Sequence, residues 1–151
     1  MRALTVASAF LLIAGSATAD ELRVDSVAIT VSDMDRVLPF YTKVLPFEVV
    51  SDHEQAGPAI AHLTGVFGAR TRTVRLRLGS EAIELVDFLA PEGRPIPPDS
   101  RSNDLWFQHV AIIVSDMDAA YARLRDHRAR HASTGPQTLP PSIPAAATCT
   151  Q

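Results

Sequence analysis

A nine-residue segment occurs twice in this chain of 151 residues, and this repeat limits the possible fold more than any other feature. Val27–Asp35 and Val110–Asp118 agree at eight of nine positions, with an offset of 83 residues. Chance similarity between apolar segments rarely extends so far. Self-similarity at a fixed offset is the signature of a repeated structural unit. The sequence therefore predicts two copies of one module.

Each copy predicts a strand followed by a helix. A β-branched apolar run is typical of a strand, and the Ser-Asp pair that follows is an N-cap signal. The first helix is predicted over about Met34–Val44 and the second over about Met117–His127. Pro39 is expected either in the first turn of a late-starting helix or at a kink. The apolar face of the first helix is predicted to consist of Val37, Phe40, Tyr41 and Val44.

The first copy continues into a complete module. After the helix come two predicted strands that flank a short helix or loop at residues 59–69, then a hairpin turn at Gly79–Ser80 and a last strand. The predicted strands are Pro46–Val50, Arg72–Leu78 and Ala82–Phe88. With its linker, this β-α-β-β-β module occupies residues 22–104.

The second copy stops early. Residues 105–133 contain the start of a module, and residues 134–151 are rich in Pro, Ala, Thr and Ser, which predicts a disordered tail. We interpret this as a truncation or frameshift near Pro140; the alternative is a natural short variant. The predicted fold class is α+β, with paired modules of which the second is incomplete. The uncovered sheet face is expected to be apolar and to favour dimerisation or aggregation.

The N-terminal 19 residues have the pattern of a secretory signal peptide. Arg2 precedes an uncharged segment, Ala3–Ala19, that ends in the small-x-small motif Ala17-Thr18-Ala19. The alternative is an uncleaved membrane anchor. No later stretch is long enough to span a membrane. The sequence therefore predicts export to the periplasm or the medium.

The net charge and the cysteine count argue against nucleic-acid binding and against an internal disulfide. A formal net charge of -3 argues against a nucleic-acid partner, and the single cysteine, Cys149, permits no intramolecular disulfide. Four arginines cluster between residues 70 and 77, and period-two alternation places Arg75 and Arg77 on one strand face. We interpret the cluster as a solvated face; an anionic substrate is the alternative.

Three segments carry a resemblance to a known family. His109–Asp118, Phe40–Phe47 and Leu78–Leu85 resemble the vicinal oxygen chelate superfamily, which includes glyoxalase I, extradiol dioxygenases, fosfomycin-modifying enzymes and bleomycin-binding proteins. The resemblance covers about residues 22–138. It implies two modules whose curved sheets face each other across a cleft, where a divalent metal chelates two neighbouring oxygens of a substrate.

The resemblance also implies a ligand set. His109 matches the first-strand ligand of module two, and Glu84 matches the last-strand ligand of module one, where it is also the candidate catalytic carboxylate. Ser26, which precedes His109 by the repeat offset, stands where the family often has histidine. The fourth ligand position falls beyond residue 151. Imidazole and carboxylate ligands suit Mn, Fe, Ni or Zn.

Three functional hypotheses remain open on the sequence. The first is a metal-dependent lyase, isomerase or dioxygenase that acts on a small oxygen-rich substrate. The second is a metal-free protein that sequesters a small molecule, as bleomycin-binding relatives do, which the serine at position 26 favours. The third is an inactive fragment.

Overall fold

The computed structural model describes residues 23–105, 109–131 and 133–138. The predicted signal peptide and residues 139–151 of the predicted tail lie outside the described residues. In chain order the elements are β1 (Val27–Val31), α1 (Met34–Pro39), β2 (Glu48–Ala56), α2 (Pro58–Thr64), β3 (Arg70–Leu78), β4 (Glu81–Ala90) and α3 (Met117–Asp126). None of the helices in these described ranges has the length and apolar character to cross a membrane.

The described residues form a four-stranded sheet in the order β1-β4-β3-β2. The strands β2, β3 and β4 form an antiparallel meander, and β1 runs parallel to β4. A parallel pair needs a long crossover connection, which α1, β2 and β3 together supply here. This arrangement confirms the predicted β-α-β-β-β module and the α+β fold class.

The hydrophobic core lies on one face of this sheet, beneath α1. Side chains alternate between the two faces of a strand, so every second residue of β3 and β4 points towards the helix. The buried cluster consists of Met34, Phe47, Val74, Leu76, Ile83 and Leu85. Tyr41 packs edge-on against Phe47 at a ring-centroid distance of 5.5 Å. The opposite face is left without a covering helix of the same module.

The first helix changes its winding at Pro39. There α1 ends and Phe40–Val44 forms a π-helical turn, in which the Leu45 N–H donates to the Phe40 carbonyl at 3.0 Å. Proline has no N–H to donate to the preceding turn, which favours such a change. The wider turn moves Phe40 away from the apolar face of the helix, and its side chain is 37% exposed to solvent. The prediction that Phe40 faces the core was therefore wrong, whereas Tyr41 and Val44 do pack inwards.

The two repeat copies begin their helices in the same way. The Asp33 carboxylate accepts a hydrogen bond from the Arg36 N–H at 3.0 Å, and Asp116 accepts one from the Ala119 N–H at 2.9 Å. Both aspartates have extended backbone angles, as N-cap residues do. The predicted helix starts are confirmed in both copies.

The copies differ in their strands. Residues 27–31 form β1, whereas the predicted strand at residues 110–114 is an irregular segment. The physical reason is pairing, because β1 is held by β4, and no equivalent of β4 for the second copy is present among the described residues. Ile112 packs against the core of the first module, and Ile113 is 82% exposed.

The second strand is longer than its sequence suggests. Apolar patterning predicted residues 46–50, but β2 extends to Ala56 through a polar stretch. The backbone N–H and C=O groups of β2 find hydrogen-bond partners in β3 along the strand. This pairing does not require apolar side chains, so the apolar pattern did not predict it. A bulge at Val50 shifts the register before Ser51.

Candidate functional site

The face of the sheet opposite the core, here called the open face, carries polar side chains on β2 and β3. Strand register places on it Ser51, His53, Thr73, Arg75 and Arg77. The expectation of an apolar uncovered face was therefore wrong for these two strands. Alternation assigns their apolar residues, such as Val74 and Leu76, to the core, so the charged and hydroxyl side chains point the other way.

Glu84 lies in the middle of the open face. It is paired with Ala28 of β1 on one side and with Arg75 of β3 on the other. Its neighbours along the strand, Ile83 and Leu85, are buried in the core, so Glu84 shares the other face with Ala82 and Val86. The carboxylate is 29% exposed, and its Oε1 accepts a hydrogen bond from Arg75 Nη1 at 2.9 Å.

Arg75 links this carboxylate to the segment that precedes β1. Its Nη1 also donates to Asp25 Oδ2 at 2.9 Å, and its Nη2 donates to the Asp25 backbone carbonyl at 3.2 Å. The hydrogen bond from Arg75 holds the pKa of Asp25 below its ordinary value. In return, Asp25 and then Glu84 raise the pKa of Arg75. We call Asp25, Arg75 and Glu84 the Arg75 cluster.

The remaining arginines of the predicted basic cluster also have acidic partners. Arg70 contacts Glu54, and Arg77 contacts Glu48 at 2.7 Å. Arg72 bonds to both Asp52 and Asp35, at 2.7 Å each. Because all four guanidinium groups are already paired with carboxylates, the cluster does not present the unbalanced positive charge that an anionic substrate requires.

The predicted metal ligands do not assemble into a metal site in the described part of the chain. Ser26 lies beside Asp25 at the start of β1, and His109 is exposed at the start of the irregular segment. Glu84 hydrogen-bonds to Arg75 and, within the described residues, to no histidine. No three His, Cys, Asp or Glu side chains of residues 23–105, 109–131 and 133–138 are placed to hold one ion. Catalytic zinc sites have three protein ligands, so this donor set does not fit one.

Two concavities among the described residues lie away from the centre of the open face. A concavity of about 350 Å³ lies in the linker, next to Pro97 and Arg101. Another of about 440 Å³ lies beside the start of α1, near Asp33 and Arg72. Neither is on the open face at Glu84. A ligand there would need a second wall, and the cleft between two modules stays a prediction.

Sequence reasoning identified Glu84 but missed its partners. Alternation correctly placed Arg75 on the face shared with Arg77. The contact with Asp25 had no local signal, because the two residues are 50 positions apart and meet through the parallel pairing of β1 with β4.

The fold and the repeat together define a class, that of proteins built from paired β-α-β-β-β modules. Residues 23–138 match the model of the Glyoxalase/Bleomycin resistance protein/Dioxygenase superfamily, and the chain belongs to this family. The match covers both copies of the repeat. Its boundaries agree with those inferred from the sequence.

Several individual proteins are similar to this chain. A 2-epi-5-epi-valiolone epimerase from Actinomyces sp. is 33% identical over 120 residues, which are 77% of this chain and 64% of the epimerase. The chain thus spans somewhat less than two thirds of that relative. A glyoxalase family protein from Bacillus cereus shares the fold, with a TM-score of 0.70, 24% identity and coverage of 83% of this chain and 85% of the other. A trypanothione-dependent glyoxalase I from Leishmania major is more distant, with a TM-score of 0.49, 23% identity and coverage of 71% and 67%.

Proposed function

We propose that this protein acts on a small oxygen-rich molecule at the open face, with Glu84 as the carboxylate that moves a proton. The observation that carries the proposal is the position of Glu84, a half-buried acidic side chain in the middle of an otherwise solvent-facing sheet surface. Removing a carboxylate partly from water costs free energy unless the group is paired and hydrogen-bonded. Arg75 supplies the partner and fixes the orientation of the carboxylate.

The reaction class that fits best is proton transfer at a carbon next to a carbonyl, as in isomerases and epimerases. A carboxylate can remove such a proton and return it, provided that it lies within hydrogen-bond reach of the substrate. The 33% identity with an enzyme named as an epimerase supports this class. We propose no step on the divalent metal that the family resemblance implies, because the described residues do not place three His, Cys, Asp or Glu side chains around one ion.

Exchange of substrate protons with solvent tests this proposal. The purified protein is incubated in deuterium oxide with acetoin, dihydroxyacetone or fructose, and loss of the proton next to the carbonyl is followed by proton NMR. We expect exchange with the wild type and a loss of about 100-fold or more with Glu84→Gln, which keeps the shape but removes the base.

Arg77→Gln is the matched control for this experiment. Arg77 lies on the same face in the neighbouring strand β3, is 57% exposed and pairs with Glu48 rather than with Glu84. Its exchange rate is expected to equal that of the wild type. Equal rates for wild type and Glu84→Gln would contradict a role of Glu84 in proton transfer.

One observation favours a second candidate, a binding protein without turnover. Position 26 holds serine where a histidine ligand is expected, and the neighbouring Asp25 is engaged by Arg75. A protein of this kind would bind the same molecules without exchanging their protons. Binding that survives in Glu84→Gln, together with no exchange in the wild type, would favour this candidate.

A further inference from the structure

We propose that Arg75, rather than a metal ion, supplies the positive charge of this site, and that its guanidinium binds two neighbouring oxygens of a neutral small molecule. The inference rests on the proposed function, because it concerns the same face and the same class of ligand. It assigns to one arginine the chelating contact that the family resemblance assigns to a metal.

Arg75 lies directly against the carboxylate that the family resemblance implies as a metal ligand. Its Nη1 is 2.9 Å from Glu84 Oε1 and 2.9 Å from Asp25 Oδ2, so one nitrogen links the last strand of the module to the start of the first. A divalent cation at the same carboxylate would meet a fixed positive charge within a few ångströms, and like charges at that distance repel. The arginine and a metal ion therefore compete for Glu84.

The guanidinium still has donors to offer. Arginine carries five N–H groups in a planar fork. Three of the five are used: two on Nη1, for Glu84 and Asp25, and one on Nη2, for the Asp25 carbonyl. The Nε–H and the second Nη2–H have no partner among the described residues, and the side chain is 27% exposed. These two groups are parallel donors on one edge, the arrangement that binds two adjacent oxygens.

Arg72 shows the contrasting case on the same strand. Its Nε and Nη2 donate to the two carboxylate oxygens of Asp52, at 2.9 and 2.7 Å, and its Nη1 donates to Asp35. The edge that Arg75 leaves unpaired is thus fully used in Arg72. This makes Arg72 a structural ion pair and leaves Arg75 with capacity for a ligand.

The charge balance points to a neutral ligand. The two carboxylates of the Arg75 cluster face two guanidinium groups, because Arg23 also pairs with Asp25 at 3.6 Å, and the nearby Arg77 is balanced by Glu48. The site therefore carries no excess positive charge that would favour a carboxylate or phosphate ligand over a neutral one. Ser51, directly across from Arg75 and next to the bulge of β2, adds a half-buried hydroxyl on the same face. Vicinal diols and α-hydroxyketones have the matching pair of neighbouring oxygens.

Ligand binding with and without chelator tests the proposal. Binding of acetoin, dihydroxyacetone and myo-inositol, with citrate as the anionic comparison, is measured by calorimetry and ligand-observed NMR in buffer containing EDTA. We expect the neutral compounds to bind equally well with EDTA and citrate to bind worse. Arg75→Lys keeps the charge but loses the fork, so it should weaken binding about 10-fold, and Arg75→Gln should weaken it at least as much.

Two controls separate binding from folding. Arg77→Gln should bind within about twofold of the wild type, since its partner is Glu48. Circular dichroism and thermal midpoints show whether the Arg75 variants fold. Should Arg75→Gln fail to fold, Arg75→Lys still decides the question.

A metal titration gives an independent readout. Manganese(II) and nickel(II) are titrated into wild type and Glu84→Gln, and we expect no one-to-one binding that depends on Glu84. Such binding, or neutral-ligand binding that EDTA abolishes and manganese restores, would overturn the role of Arg75 and leave the proposed proton transfer intact. Failure of every neutral compound to bind would also overturn it. EDTA-insensitive binding without proton exchange would instead contradict the proposed function and leave the role of Arg75 standing.

Discussion

Asp87 joins the last strand of the module to its first helix. It is buried, at 8% exposure, and its Oδ2 accepts a hydrogen bond from the Met34 N–H at 2.9 Å. The first N–H groups of a helix have no partner within the helix. Asp33 satisfies one of them locally, and Asp87 satisfies another across 53 positions of sequence. One carboxylate thus holds α1 in register on β4.

Replacing Asp87 should therefore lower the free energy of unfolding more than replacing Asp33, the local N-cap residue. In Asp87→Ala the Met34 N–H is left buried without an acceptor, and we expect a loss of about 1–3 kcal/mol in the free energy of unfolding. Asp87→Asn keeps an acceptor oxygen and should lose less. Urea unfolding of both variants measures the difference. Equal losses for alanine and asparagine would show that the hydrogen bond contributes nothing.

The ion pair between Asp52 and Arg72 makes the stability of the fold depend on pH. Hydrogen bonds from Arg72 hold the pKa of Asp52 below its ordinary value. A depressed folded-state pKa means that the unfolded chain binds more protons, so this stabilisation is present above about pH 4 and is lost as the pH falls through the lowered pKa.

The variant Asp52→Asn tests this pH dependence. At about pH 7 it should unfold at lower urea concentration than the wild type, and at about pH 2.5 the two midpoints should converge. The matched control is Asp99→Asn, which changes an aspartate of the linker. Midpoints of wild type and Asp52→Asn that stay equally far apart at both pH values would contradict a contribution from the ionised carboxylate.

At the scale of elements, the two copies of the repeat separate local from nonlocal information. The Ser-Asp caps lie in the sequence itself, so both helices could be predicted with their starting residues. A strand depends on a partner, and the β4 that holds β1 is more than fifty residues away. The same nine-residue pattern therefore gives a strand in one copy and an irregular segment in the other.

The candidate site follows the same rule. The face of Glu84 could be predicted, because alternation along one strand is a local property. The bond between Arg75 and Asp25 could not, since it depends on which strands are neighbours. The exposure of Phe40 was missed for another reason, the change to π winding after Pro39, which a pattern based on regular helix spacing does not contain.

The irregular segment of the second copy should still be attached to the first module. Ile112 packs against the core, whereas its neighbour Ile113 is 82% exposed. We expect Ile112→Ala to lower the free energy of unfolding by about 1–2 kcal/mol, because Ile112 is partly rather than fully buried, and Ile113→Ala to change it by less than about 0.5 kcal/mol. Chemical unfolding of this matched pair is the measurement. Similar small effects for both would show that the segment is not docked.

At the scale of the whole molecule, the open face is expected to form one wall of a cleft. Its centre is polar and charged, because Glu84 and Arg75 lie there. Among the described residues, no second sheet lies opposite them. Formation of a homodimer by this chain stays a prediction. The polar character of β2 and β3 makes nonspecific aggregation through this face less favourable than the sequence suggested.

The compartment in which the molecule works depends on residues 1–19, and we expect these to be removed on export. The small-x-small motif at Ala17–Ala19 predicts cleavage before Asp20, because signal peptidase accepts small side chains at those positions. Expression of the chain in a bacterial host, followed by fractionation and intact-mass analysis, should give a periplasmic or secreted protein that begins at Asp20. Ala19→Arg places a large charged side chain at the cleavage position and should leave the precursor uncleaved in the membrane fraction. A cytoplasmic protein with an intact N-terminus would contradict export.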